Sequence, residues 1–223
     1  MKYTVYVFFA LFCNGVFSQS ALPKGFQYIK EEIPSIKIEL KYATKENFIG
    51  AFVSGYYANK GIVTTQTIQA LKKVQKELKK QKLALIIYDA YRPQKAVNHF
   101  VKWAKATGDT LMKKEYYPNV AKKNLFKKGY IASHSRHSSG STVDVSIISL
   151  KTNKPLDMGS PYDFFGEKSW VNYALLSKEQ KKNRQLLQQV MLKNGFRNYA
   201  KEWWHFTLRY EPYRNQYFDF NIE

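Results

Sequence analysis

The sequence predicts an α+β fold, a single domain with a central antiparallel sheet flanked by helices. Three observations predict it. Apolar residues at three- and four-residue spacing mark amphipathic helices, and short Val/Ile/Leu runs mark buried strands. The two kinds of element mix along the chain, with no internal repeat and no low-complexity linker to divide it. With 44% hydrophobic and 24% charged residues in 223, and with 17 Tyr, 15 Phe and 4 Trp, the composition is that of a globular protein. A chain of about 200 residues buries roughly 70% of its unfolded surface and needs no staples, and a single Cys excludes a disulfide scaffold.

Taken in order, the first predicted helix runs from Thr64 to about Gln81, with Ile68, Leu71, Val74 and Leu78 inward and lysines between them. Leu83 to Tyr88 is an apolar run with the length of a buried strand, closed by Asp89-Ala90-Tyr91-Arg92-Pro93. A second helix spans Gln94 to Ala106, with Val97, Phe100, Val101 and Ala104 inward. Thr107 to Tyr130 is polar, broken by Gly108, Pro118 and Gly129, and reads as a long surface excursion. Thr142 to Leu150 is rich in Val and Ile and reads as a strand, followed by a turn at Asn153-Lys154-Pro155. A last helix begins at Ser177, which forms a capping-box pattern with Gln180, carries Leu186, Leu187, Val190 and Met191 inward, and stops at Gly195. Trp203 to Leu208 follows as an aromatic strand.

Ahead of this domain, Met1 to Phe17 has the form of a secretory signal. Lys2 supplies the basic start, Tyr6 to Phe12 the apolar run and Val16-Phe17-Ser18 a passable cleavage site. The expected division is a signal peptide over 1–18 and one domain over 19–223. A membrane anchor fits less well, because Asn14 and Gly15 interrupt a run already short of the about 20 residues a span needs. Export to a periplasm or the cell exterior is the expectation, and with Cys13 in the removed segment the mature chain has no thiol. The formal charge of +19 belongs almost wholly to the mature domain. Its lysines are spread over several segments, with no nucleic-acid motif or dense aromatic-basic patch, which argues against a nucleic-acid partner. Loose attraction to anionic cell-envelope polymers accounts for the charge more simply.

Of the four histidines, two stand in unusual company. His137 lies in Ser135-Arg136-His137-Ser138-Ser139-Gly140-Ser141-Thr142-Val143-Asp144, where a Ser/Gly turn leads into a strand bearing a carboxylate. An acid among Val, Ser and Ile is costly unless paired or bound to a cation. His205 closes Glu202-Trp203-Trp204-His205. Side chains alternate along a strand, so Glu202 and His205 point apart unless the backbone twists or bulges between them. Given that, His137, Asp144 and His205 make an open set of two imidazole nitrogens and one carboxylate oxygen, suited to a catalytic Zn²⁺ with water in the fourth position. Glu202 remains to take that water's proton. Taken singly, His137 also reads as a hydrogen-bonded surface histidine, and Glu202 with His205 as an ion pair beside an aromatic core. His134 falls outside the motif, and His99 sits on the second helix as a structural residue.

These two segments resemble the zinc motifs of the D-alanyl-D-alanine metallopeptidases, and most nearly those of the VanX-type D-Ala-D-Ala dipeptidases. Lys41-Tyr42-Ala43-Thr44, Asn47-Phe48-Ile49-Gly50, Tyr88-Asp89-Ala90-Tyr91-Arg92-Pro93, Asp157-Met158-Gly159-Ser160-Pro161-Tyr162-Asp163-Phe164, Glu211-Pro212-Tyr213 and Tyr217-Phe218-Asp219-Phe220 extend the resemblance, in order, over nearly all of the mature chain. It implies one Zn²⁺ held by His137, Asp144 and His205, with Glu202 as general base and later proton donor. It implies that Arg92 stabilises the oxyanion, and that Tyr42, Ser135 and Asp163 line the substrate end, with Asp163 pairing the ammonium of a small dipeptide. A pocket of that kind rejects blocked or longer peptides, because its acid would be left desolvated and unpaired. The implied activity is zinc-dependent hydrolysis of D-Ala-D-Ala in cell-wall peptide turnover.

Two other functions compete with it. A D,D- or L,D-carboxypeptidase that trims peptidoglycan stems would need an open cleft, whereas the Tyr42/Asp163 pair and an excursion able to roof the site favour a closed pocket. A non-catalytic, zinc-stabilised wall-binding module suits the charge, but such a module has no use for the base Glu202.

Overall fold

The computed structural model describes residues 22–223, so the expected signal segment lies outside the described residues. The chain forms β1 (Phe26–Tyr28), α1 (Ile29–Glu32), β2 (Lys37–Ile38), β3 (Ile62–Thr64), α2 (Thr65–Lys79), β4 (Leu83–Asp89), α3 (Gln94–Lys105), α4 (Lys113–Tyr116), β5 (Thr142–Ser149), α5 (Lys178–Lys193), β6 (Phe196–Tyr199) and β7 (Glu202–Leu208). Five strands form a sheet in the order β2-β4-β5-β7-β6, and β1 pairs with β3 in a separate ribbon. All pairings are antiparallel except that of β2, which adds to the edge of the main sheet parallel to β4. The fold is the predicted α+β domain, corrected by that parallel edge and by the ribbon. Among the described residues no helix is long and apolar enough to cross a membrane.

β4 and β5 are buried along nearly their whole length, which is why they read as continuous apolar runs and not as alternating ones. The helix α2 packs on β4 and against α5, which in turn packs on β6 and β7. The Ser177 capping box at the start of α5 is present as predicted. The excursion between α3 and β5 departs from the expectation of a polar surface loop. It buries Tyr116, Tyr117, Val120 and Leu125. It is also pinned by Lys122, whose ammonium donates to the carbonyls of Ala106 and Asp109 at 2.8 and 2.6 Å and sits 4.0 Å from the Trp103 ring centre. A lysine stem covers apolar surface well, so charge alone misreads this segment.

Two irregularities in the sheet position the site. Between Ile87 and Asp89 the β4–β5 register shifts, which sets Asp89 opposite Asp144, and β7 sets His205 opposite Asp144 from the other side. Directly paired residues project from the same face of a sheet, so Asp89, Asp144 and His205 form one row across three strands. The β6–β7 pairing slips from Asn198↔Phe206 to Tyr199↔Glu202, and this is the bulge that the Glu202/His205 spacing required.

The C-terminal tail straps the loops that carry the site. The Phe218 amide donates to the Ser138 carbonyl, and the Phe218 carbonyl accepts from Gln94. The Phe220 ring stacks on Tyr91 at 4.0 Å. Asp219 Oδ1 accepts from the Lys95 amide at 2.6 Å and caps α3, whose own N-cap, Pro93, offers no side-chain acceptor. Asp219→Ala is therefore expected to lower stability by about 1 kcal/mol, read as a shift in the urea midpoint.

Candidate active site

His137 is placed by a tight turn. The Ser135 hydroxyl accepts from the His137 amide and starts a short 3₁₀ turn, which ends at Gly140 with φ +76. A Cβ at Gly140 would stand 2.2 Å from Phe26 Cε1, so both the backbone angle and the space demand glycine. His137 Nδ1 lies 2.7 Å from the carbonyl of Ala90, to which it donates. With Nδ1 engaged there, Nε2 is the ring nitrogen turned toward Asp144 and His205.

Three donor atoms converge. His137 Nε2 is 3.3 Å from Asp144 Oδ1, His205 Nδ1 is 3.1 Å from the same oxygen, and the two nitrogens are 3.3 Å apart. Ligands at about 2.0–2.1 Å around a tetrahedral centre stand about 3.3 Å apart, so these atoms match three corners of such a site. His137 and Asp144 are buried, and all three residues line one cavity. Burial alone would raise the Asp144 carboxyl, but the two imidazoles beside it outweigh that and hold it well below the usual carboxylate range. Its other oxygen, Oδ2, accepts from the Tyr162 hydroxyl at 3.0 Å.

Glu202 Oε2 lies 3.5 Å from His205 Nδ1, beside the donor set but outside it. Burial raises its carboxyl, and the charge of Asp144 adds to this against the pull of the histidines and Arg92. A carboxyl tuned upward in this way binds a proton more readily than an exposed one and can pass it on.

Arg92 is held by Asp89. Its Nε and Nη2 lie 2.9 and 2.8 Å from Asp89 Oδ2, while Tyr56 donates to Oδ1 at 2.6 Å. Nη2 is also 3.7 Å from Asp144 Oδ2, and the guanidinium carbon sits 5.1 Å from the centre of the Tyr42 ring. The cation is thus fixed at the edge of the donor set with its direction set by a buried carboxylate.

At the far end Tyr42 donates to Asp163 Oδ2 at 2.7 Å, and both residues are buried. Asp163 has φ +59, a left-handed angle that Asp tolerates better than most residues, and the turn holds its carboxyl inward. Burial pushes this carboxyl well up, and the charge of Asp144 pushes it further. An ammonium brought to it would restore its charge.

All eight residues singled out from the sequence, Tyr42, Arg92, Ser135, His137, Asp144, Asp163, Glu202 and His205, line one cavity of about 280 Å³. That is just below the about 300–1,000 Å³ usual for ligand sites. Gly129 and Tyr130, the end of the excursion, and the adjoining Ile131 and Ala132 supply part of its wall. His134 is exposed at the rim with its ring 4.6 Å from Tyr217, and His99 Nδ1 accepts from the Ser54 amide. Sequence reasoning missed Asp89 and Tyr162. The signal for Asp89 was an acid ending an apolar strand, the same cost argument that singled out Asp144; Tyr162 had no signal beyond its place next to Asp163.

A family model described as D-ala-D-ala dipeptidase matches residues 23–223. Proteins named D-alanyl-D-alanine dipeptidase from Enterococcus faecium and Enterococcus faecalis are 39% and 38% identical over 199 and 201 residues, covering 89% and 90% of this chain and 98% and 100% of theirs. A protein of the same name from Streptomyces coelicolor is 36% identical over 197 residues, covering 88% of this chain and 98% of its own.

Proposed function

This chain belongs to the D-Ala-D-Ala dipeptidase family of metallopeptidases, and from that premise we propose that it hydrolyses the free D-Ala-D-Ala dipeptide to two D-alanines with one Zn²⁺ held by His137, Asp144 and His205. The observation that carries the reading is the set of three donor atoms 3.1 to 3.3 Å apart, with a carboxylate beside it that is not needed as a ligand. When bound there, the cation supplies Lewis-acid polarisation of the scissile carbonyl and makes a nearby water more acidic.

The protein's own groups account for the rest. Glu202 takes the proton of the attacking water and delivers it to the nitrogen of the leaving D-alanine. Arg92, fixed by Asp89, stabilises the negative charge that develops on the carbonyl oxygen, which a flexible cation would do less well. Asp163 pairs with the substrate ammonium while Tyr42 donates to the same carboxylate. Ser135 lines the wall and holds the His137 turn. Ala90 and Tyr162 orient His137 and Asp144 through their outward-facing atoms. An N-blocked or longer peptide leaves Asp163 buried without its counter-charge, so the site selects the free dipeptide.

The apolar start with Lys2 and Val16-Phe17-Ser18 supports cleavage of residues 1–18 and export, with the enzyme working in a periplasm or outside the cell on cell-wall peptide fragments. The +19 charge favours loose retention at anionic envelope polymers. Removing metal with a chelator is expected to abolish D-alanine release, and one equivalent of Zn²⁺ per chain to restore it. Release that survives complete removal of metal would contradict the proposal.

A further inference from the structure

Under the dipeptidase reading, two points of the dipeptide and the attacking water have a partner, and one point of the dipeptide does not. Asp163 and Tyr42 face the ammonium, Arg92 the carbonyl oxygen and Glu202 the attacking water. The carboxylate of the leaving residue has no assigned group. Among the described residues no lysine lines the cavity, and the second arginine in its wall, Arg136, is engaged elsewhere: its Nη1 donates to the Arg214 carbonyl at 2.8 Å and lies 3.5 Å from Glu211 Oε1.

Tyr199 is placed to fill that role. It ends β6 directly opposite Glu202, its ring meets His205 edge to face at 5.9 Å, and it lines the same cavity. Contacts run in order from Asp163 to Tyr42, Arg92, Asp144 and His205, and Tyr199 follows His205 in that series. Among the described residues its hydroxyl has no hydrogen-bond partner. Gly129 faces this hydroxyl with bare backbone at φ +79; a Cβ there would stand 3.9 Å from it, in ordinary van der Waals contact.

We infer that the Tyr199 hydroxyl hydrogen-bonds the carboxylate of the leaving residue and makes the site specific for a free C-terminus. The inference rests on the dipeptidase reading. A hydrogen bond to a charged group is commonly equivalent to about tenfold or more in affinity. The test compares D-Ala-D-Ala with D-alanine N-ethylamide, which has the same scissile bond and terminal methyl group but no carboxylate, by turnover or, for the ethylamide, as a competitor. Tyr199→Phe keeps the ring against His205, and circular dichroism and zinc content verify the fold and the metal site.

The expected result is that the wild-type preference for the dipeptide shrinks about tenfold in Tyr199→Phe, through a higher KM for D-Ala-D-Ala at nearly constant kcat, with the ethylamide unaffected. An unchanged preference, or equal losses on both compounds, overturns the inference while leaving the dipeptidase reading in place. Collapse of the preference in His134→Gln and not in Tyr199→Phe also overturns it and assigns the carboxylate to the rim histidine. A wild-type protein that cleaves neither compound removes both readings together.

Discussion

Glu202→Gln is expected to reduce D-Ala-D-Ala turnover by about 10²–10⁴-fold while zinc still binds at one equivalent per chain. The separation follows from geometry. Glu202 lies 3.5 Å from His205 Nδ1 but contributes none of the three convergent donor atoms, so the amide removes a proton acceptor and leaves the ligands intact. Its side chain is about a quarter exposed, and Gln has nearly the same shape, so stability should hold. Loss of turnover together with loss of metal would show that Glu202 maintains the site and does not act as the base. A wall-binding module predicts the opposite pattern, with wall affinity kept and no turnover to lose.

Arg92→Ala is expected to fail in two separable ways. Removing a fixed cation from a developing oxyanion costs about 10²–10³ in kcat. It also leaves Asp89, fully buried, without its counter-ion and next to Asp144 in the sheet, which costs about 3–5 kcal/mol of stability. The Asp89→Asn, Arg92→Ala double variant relieves the second effect and not the first. It should regain much of the denaturation midpoint with no gain in kcat. Recovery of turnover along with stability would mean that Arg92 only braces the loop.

The candidate metal-binding set was legible in the sequence because each half carries its own anomaly. One is an acid on an apolar strand after a Ser/Gly turn, and the other is Glu202 and His205 at a spacing that a regular strand cannot bring together. The structure resolves the second anomaly with the slip from Asn198↔Phe206 to Tyr199↔Glu202, a property of two strands that no single strand's pattern displays. Asp89 escaped notice for a related reason. Its position in the row with Asp144 and His205 depends on the register shift after Ile87, which the sequence of β4 alone does not encode. The roles proposed for Arg92, Tyr42, Ser135 and Asp163 rest on family resemblance, since an arginine before proline or an acid in a loop has many uses.

The helices α2, α3 and α5 are long enough to show a period, and β4, β5 and β7 are long enough to show an apolar or aromatic run. β1, β2 and β3 have two or three residues each, too few for any pattern, and they are held by pairing with distant segments. The tail is similar: Phe218 and Asp219 gain their meaning from Ser138, Gln94 and Lys95, far away in sequence.

Under the proposed function this site reads a free ammonium at Asp163 and cleaves one peptide bond from it. D-alanine release by purified, zinc-loaded protein from D-Ala-D-Ala, measured beside N-acetyl-D-Ala-D-Ala and a pentapeptide stem, tests it most directly. Release from the free dipeptide alone is the expected result. Release from the stem would move the enzyme to the carboxypeptidases, and no release despite bound zinc would contradict the dipeptidase reading outright.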